Sequence, residues 1–219
     1  MFEELRKNLF VYYPPNAGSN AYLLIGKKNA FIDSSLSINS QELQDSLEAI
    51  KMNAAEIDLV LHTHGHADHF GSDFIFKKAE KAMHSFDAQY VSIKDSAFTG
   101  SAAFRQDYFP EISSNFHEGE IIELKPFSLE VIFTPGHTAG SVCFYDGKSS
   151  LLFSGDTLFR EGYGRTDLPS GNPEEMKESL QKISKLKFDM LLPGHGLVLK
   201  HGQEENIDLV LKTLSLKYI

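Results

Sequence analysis

Six consecutive residues, His64-Gly65-His66-Ala67-Asp68-His69, carry four side chains able to ligate a metal. Three more follow in Pro135-Gly136-His137, Gly155-Asp156-Thr157 and Pro193-Gly194-His195-Gly196. Neutral imidazole nitrogens and carboxylate oxygens are the ligands that zinc, iron or manganese take at neutral pH. Seven are too many for one four-coordinate ion. They suit two ions sharing a bridging carboxylate and a bridging hydroxide, an arrangement used for hydrolysis. The pattern therefore predicts a binuclear metallohydrolase, and a fold able to bring separate loops to one place.

Each downstream candidate has the same setting. His137 follows Pro135-Gly136, His195 follows Pro193-Gly194, and Asp156 follows Gly155, each just beyond an apolar run of strand length. Glycine lets the backbone approach closely, and a strand end leaves the ligand little freedom to lose. Within the cluster, alternate residues project the same way, so His64 and His66 can share one ion while Asp68 and His69 face another. His62 is ambiguous and reads best as a packing residue on the strand end. His84, His117 and His201 have no supporting context and read as solvated or core-satisfied, and Asp146 and Asp167 as turn or structural carboxylates.

The rest of the chain predicts alternating strands and helices. Leu9 to Tyr13, Ala21 to Ile25 and Ala30 to Asp33 read as strands separated by the turn signals Pro14-Pro15-Asn16 and Gly26-Lys27-Lys28. Asn39, with Glu42 three residues on, predicts a capped helix whose Leu43, Leu47 and Ile50 lie at helical spacing. Ile57 to Leu61 reads as a buried strand ending at the histidine cluster, where α/β folds place their chemistry. Phe70 to Lys81 is predicted as a helix, Ala82 to His84 as a strand and Asp87 to Lys94 as a helix. The segment 95–116, with Phe98, Phe104, Tyr108 and Phe109, shows no periodicity and reads as a packed surface loop or a substrate lid.

Four strands follow: Ile121 to Leu124, Leu129 to Phe133, Val142 to Tyr145 and Leu151 to Phe153. Asn172-Pro173-Glu174-Glu175 opens a helix, with a capping side chain, proline in the first turn and acids at the positive dipole end. Met176, Leu180, Ile183 and Leu186 give it an apolar stripe; Met190 to Leu192 reads as a strand, and a last helix from Gln203 buries Ile207, Val210, Leu211 and Leu214. No linker interrupts this pattern, so residues 1–219 are expected to form one domain of two sheets between helices.

Composition narrows the partners. A net charge of −9 argues against a surface that grips a nucleic acid backbone. Cys143 is the only cysteine, so no intrachain disulfide can form and the reducing cytoplasm is the expected location. It lies in an apolar strand-like run and reads as a small core residue. Met1 to Lys7 mixes acidic and basic residues, and the next apolar stretch is broken by Pro14-Pro15, unlike a signal peptide. No run approaches the roughly 18 apolar residues that span a bilayer.

The set His64, His66, Asp68, His69, His137, Asp156 and His195, spread through most of the chain, resembles the metallo-β-lactamase superfamily, with all seven binuclear ligand positions filled. The resemblance implies an α/β fold, the four-layer αββα sandwich, with metals at one edge of the two sheets. It also implies one ion on His64, His66 and His137, another on Asp68, His69 and His195, and Asp156 bridging them. His66 stands where the flavodiiron branch usually has glutamate. The stretch Gly155-Asp156-Thr157-Leu158-Phe159, followed by Gly164-Arg165-Thr166-Asp167-Leu168-Pro169, is similar to the glyoxalase II group, especially its short members. There a basic residue at the place of Arg165 holds a glutathione carboxylate, a task suited to a guanidinium fork. An internal Arg165–Asp167 pair is the competing role. Two departures stand out: Asp167 replaces a common tyrosine, and the helical C-terminal domain with further glutathione contacts is missing.

The expected activity is hydrolysis of a small-molecule acyl thioester or related ester, by attack of a metal-bridging hydroxide oriented by Asp68. Two divalent ions are the expected cofactors: zinc first, with iron or manganese suited to the same donors. Three other activities compete. A lactonase or a phosphodiesterase/ribonuclease would use the same metals, and a persulfide dioxygenase would need a single iron on two histidines and an aspartate.

Overall fold

The computed structural model describes residues 1–217. In the first sheet β1 (Phe2–Arg6), β2 (Leu9–Tyr12), β3 (Ala21–Leu24) and β4 (Ala30–Ile32) are antiparallel neighbours. Helix α1 (Ser40–Ala49) crosses to β5 (Leu59–Leu61), parallel to β4. Short α2 (Ala67–Phe70) precedes β6 (Glu80–His84), which lies parallel to β5. Helices α3 (Ser85–Ser92), α4 (Ser96–Thr99) and α5 (Ser101–Phe104) lead to β7 (Ser114–Phe116), parallel to β6. The second sheet runs antiparallel through β8 (Ile121–Glu123), β9 (Ser128–Phe133), β10 (Val142–Asp146) and β11 (Leu151–Gly155). After α6 (Pro173–Ile183), β12 (Met190–Pro193) joins β11 in parallel, and α7 (Gln203–Lys217) follows.

Strand alternation builds the four layers. Phe144, Leu151 and Phe153 face the first sheet and meet Leu9, Tyr22 and Leu61 in the central core, where Tyr22 and Phe153 pack edge to face at 5.4 Å. Their neighbours Cys143 and Leu152 point the other way, onto Met176, Leu180 and Ile183 of α6 and Ile207, Val210 and Leu214 of α7. On the far side Leu23, Phe31 and Val60 meet Leu43 and Leu47 of α1. A fully buried Leu or Phe contributes about 1.5–3 kcal/mol. The order helix, sheet, sheet, helix is the αββα sandwich. No helix among the described residues is long and apolar enough to cross a membrane.

Register at two of the parallel pairs positions the site. Ile32 pairs with Leu61, so Asp33 emerges beside His62 and Thr63. Gly155 pairs with Pro193, and the Gly194 N–H donates to the Gly155 carbonyl, so Asp156 and His195 emerge together. The Val142 N–H donates to the Thr63 carbonyl at 2.8 Å, tying the two sheets at that same edge.

Three expectations are corrected. Phe70 to Lys81 is not one helix: α2 ends at Phe70, a single 3-10 turn spans Asp73–Ile75, and Glu80 is already extended. Phe70 is buried with Met83 and Val91, whereas Phe76 is buried against Phe31 in a different cluster. A straight helix would not serve both clusters while leaving Phe74 exposed. Asn39 precedes α1 but does not cap it; its amide donates to the Ala17 carbonyl and Ser35 Oγ instead. The N-terminal residues, to which the sequence pattern assigns no element, form β1. The segment 95–116 is more regular than its sequence, holding α4, α5 and β7. The Asn172 cap, by contrast, forms as expected, accepting from the Glu174 and Glu175 N–H groups.

Candidate metal centre

Four strand ends deliver the seven side chains. The loop after β5 and the start of α2 carry His64, His66, Asp68 and His69; His137 follows β9, Asp156 follows β11 and His195 follows β12. His66 Nδ1 lies 3.1 Å from His64 Nε2 and 2.9 Å from His137 Nε2. Nearby, His195 Nε2 lies 3.3 Å from His69 Nε2 and 3.2 Å from Asp68 Oδ2. Asp156 stands between, with Oδ1 3.4 Å from His69 Nε2, and Oδ2 3.4 Å from His137 Nε2 and 3.6 Å from His195 Nε2. Three groups within this set are close enough to hold an ion: His64–His66–His137, His64–His69–Asp156 and Asp68–His69–His195. An alanine-sized side chain at Gly194 would collide with the Asp156 carboxylate, so only glycine permits this approach.

Hydrogen bonds behind the ligands fix which nitrogen faces inward. The Thr63 hydroxyl and N–H both donate to Asp33, so the Thr63 oxygen is left to accept from His64 Nδ1 at 3.1 Å. His69 donates from Nδ1 to Asp33 Oδ2 at 2.8 Å, and His137 from Nδ1 to the Arg165 carbonyl at 2.7 Å. In the neutral form all three thereby turn a bare Nε2 toward the centre. Burial and the neighbouring histidines hold His64 well below the ordinary imidazole range, and burial with His137 takes His66 to about 3. On the other side burial opposes charge, but Asp33, Asp156 and Asp68 hold His69 well above its ordinary value. His195 is also raised, because Asp156 and Asp68 outweigh its burial. Burial would raise Asp68 and Asp156 too, yet His69 and His195 keep both below the ordinary carboxylate range.

Metal ions fit these residues. Lone pairs facing each other at about 3 Å repel unless a proton or cation lies between them. Burial suppresses protonation of His64 and His66, and the buried Asp156 Oδ1 has no hydrogen-bond donor. A cation shared among these nitrogens and oxygens answers both conditions.

Several residues of the site carried no label in the sequence reading. Asp33 and Thr63 brace His64 and His69. Asp87, buried, accepts from the Gly65 N–H, the Gly140 N–H and the Thr138 hydroxyl, joining the loop of His64 to that of His137. Burial raises its carboxyl to about 6 despite those three donors. Asn20 donates to the carbonyls of Pro193 and Gly196, and Tyr22 to that of Pro193, fixing the loop of His195. Asp33 had a readable signal, since it follows an apolar strand as Asp156 does. Asp87, in the first turn of α3, had none.

The remaining candidates lie elsewhere. His62 is fully buried against Asp73, at 2.9 Å. His84 stacks on Phe133, and exposed His117 faces Glu120. His201 is exposed, Cys143 is buried in the core, and Asp146 caps the turn at Lys148 and Ser149. Arg165 is two-thirds exposed and grips Asp167 through two bonds of 2.9 and 2.7 Å. A cavity of about 330 Å³ opens at the cluster, lined by His66, Asp68, His137, Asp156 and His195 together with residues 97–100, Phe104, Phe159 and residues 163–165, 168 and 169.

Comparison with known proteins follows the same geometry. Residues 15–195, which include every side chain of the cluster, match the family model of the metallo-beta-lactamase superfamily. A probable metallo-hydrolase of Methanocaldococcus jannaschii is 34% identical over 81% of this chain and 87% of its own. The hydroxyacylglutathione hydrolase of Haemophilus influenzae is 30% identical over 80% of this chain and 84% of its own. Among solved structures, TTHA1623 in a di-iron-bound form superposes with a TM-score of 0.72 at 25% identity, covering 90% of this chain and 96% of that one. The sandwich, the histidines and aspartates gathered at its strand ends and the sequence likeness agree: the chain belongs to the metallo-beta-lactamase superfamily of metal-dependent hydrolases.

Proposed function

We propose that the chain is a binuclear hydrolase of thioesters. The observation that carries this reading is Asp156, whose carboxylate touches both sets at once: Oδ1 lies near His69, and Oδ2 lies near both His137 and His195. His64, His66 and His137 would hold one ion, Asp68, His69 and His195 the other, with Asp156 serving both. The likeness to a hydroxyacylglutathione hydrolase supports the substrate class, and that to a di-iron form supports two ions, with iron as well as zinc among the candidates. A single-iron dioxygenase would leave Asp68, His69 and His195 without a task.

When bound, a metal pair supplies hydroxide at neutral pH and draws charge from a carbonyl oxygen. The chain supplies the rest. Asp68 is held ionised by His69 and His195, so it can accept a hydrogen bond from the attacking group and orient it. Asp33 and the Arg165 carbonyl fix the His69 and His137 rings, which removes the cost of ordering them later. A thiolate leaves readily, its thiol pKa being about 8.5, so a thioester requires no separate general acid. Arg165 reaches a substrate carboxylate only by exchanging it for Asp167.

The test is metal analysis of reconstituted protein alongside a panel of thioesters, a lactone and a phosphodiester. Two ions per chain with selective thioester cleavage is the expected result. A ceiling of one ion, or cleavage confined to another bond class, would overturn the proposal.

A further inference from the structure

The cavity above the ligands is walled by hydrocarbon. Phe98 sits beside His66, ring centres 6.1 Å apart, and is itself buried and stacked on Tyr90 at 4.2 Å and 14°. Phe159 sits edge-on to His195 at 6.0 Å. Phe104, Leu168 and Pro169 also line the cavity. Among the described residues lining the cavity, Arg165 is the one cation other than histidine, and Asp167 already neutralises it. Glutathione carries carboxylates that such a lining does not answer, on a chain whose net charge is −9. A polar tail would also lose water against the aromatic rings.

We infer that the deep end of this cavity is a seat for an apolar acyl group, and that the enzyme selects its substrate by acyl hydrophobicity rather than by a glutathione tail. This rests on the hydrolase reading above. Phe98 lies beside His66 and Phe159 beside His195, and both line the cavity, so a carbonyl at the floor of the cluster places its attached chain against aromatic rings. The thiol half then faces the mouth, where Arg165 and Asp167 are exposed, and leaves to solvent once the bond is cut. A volume of about 330 Å³ has room for a medium-length or aryl acyl chain. Phe104, two-fifths exposed at the rim, is the residue that meets the far end of such a chain.

The experiment varies the two halves independently. Acetyl, butyryl and hexanoyl thioesters, each on glutathione and on a neutral thiol, are compared for kcat/KM with the metal-loaded protein. Binding of the matching ketones, with a methylene in place of sulfur, is measured by calorimetry. The expected result is a rise of about fourfold per added methylene until the cavity fills, in both kcat/KM and affinity, with the glutathione carrier giving no gain. Phe104→Ala should lower the hexanoyl-to-acetyl ratio by about tenfold, and Phe104→Leu should restore most of it. A flat acyl series in both readouts, or a glutathione carrier that raises kcat/KM tenfold or more, overturns the inference. If a two-metal protein cleaves no thioester while the ketones keep their gradient, the thioesterase reading falls and the apolar seat stands.

Discussion

On one side of Asp156 stand His64, His66 and His137, three imidazoles almost wholly shielded from solvent. On the other stand Asp68, His69 and His195, where carboxylates enter the set and the His195 side chain is 36% exposed. The same residue type behaves in opposite ways across that line. Burial dominates the first half and holds His64 and His66 neutral, while Asp33, Asp68 and Asp156 dominate the second and draw protons onto His69 and His195. A ligand set is therefore not uniform merely because its residues are. Both halves reach the cavity, through His66 and His137 on one side and Asp68 and His195 on the other, but the first is the more shielded from solvent.

Asp156→Ala breaks the comparison most severely, because it removes the one carboxylate common to both halves. Thioester turnover should fall by more than the roughly 10–100-fold typical of an outer hydrogen-bond partner, and bound metal should drop to one ion or fewer. Metal analysis beside steady-state kinetics checks this; a variant that keeps both ions and its activity would show that the halves do not depend on Asp156.

Asp33→Ala should act on one half more than the other, since Asp33 bonds His69 directly but reaches His64 only through Thr63. A loss of about 10–100-fold in affinity is expected for the ion on Asp68, His69 and His195, with a smaller loss for the other. Titration with metal and a competing chelator should show two separated binding steps. Equal weakening of both would erase the distinction drawn between them.

Acid should separate the halves by sign in chelator-stripped protein. His66 titrates at about 3 when folded and about 6.5 when unfolded, so the unfolded chain binds the extra proton in between. Its share of stability is lost as pH falls from about 6.5 toward 3. His69 and His195 are raised, so their share is present below about 6.5 and lost as pH rises through their folded values. Thermal melts across pH should show His66→Asn with a shallower acid loss and His195→Asn with a shallower alkaline one. The reverse assignment would mean that burial does not govern the first half.

The smallest effects belong to residues outside both halves. His84→Ala, His117→Ala and His201→Ala should each leave turnover within about threefold of the parent. Arg165→Lys should do the same on carboxylate-bearing and neutral thioesters alike, because its fork is engaged by Asp167 at the surface. A large rise in KM confined to the glutathione thioester would return Arg165 to substrate binding.

The positions of the candidate ligands were legible because each follows an apolar strand, and a strand that ends in a glycine turn announces itself locally. The layers were legible for a similar reason: Cys143 and Leu152 alternate with Phe144, Leu151 and Phe153, and that period of two assigns faces before any contact is known. Between Phe70 and Lys81 the same kind of reading failed. Apolar spacing suggested one helix face, but Phe70 and Phe76 answer to different cores, and packing outweighed local preference.

What the sequence by itself determined is the chemistry available and where it lies along the chain: seven donors at strand ends, an excess of negative charge, and sandwich-forming alternation. Only the tertiary structure decided which donors face one another, because the parallel registers of Ile32 with Leu61 and of Gly155 with Pro193 are long-range facts. It alone placed Asp87 between the loops of His64 and His137, gave Arg165 to Asp167, and set Phe98 beside His66 and Phe159 beside His195. The physical reason is range. Side-chain periodicity is imposed by the backbone over a few residues, whereas protonation, ligand orientation and cavity lining depend on burial and on charges brought together from distant parts of the chain.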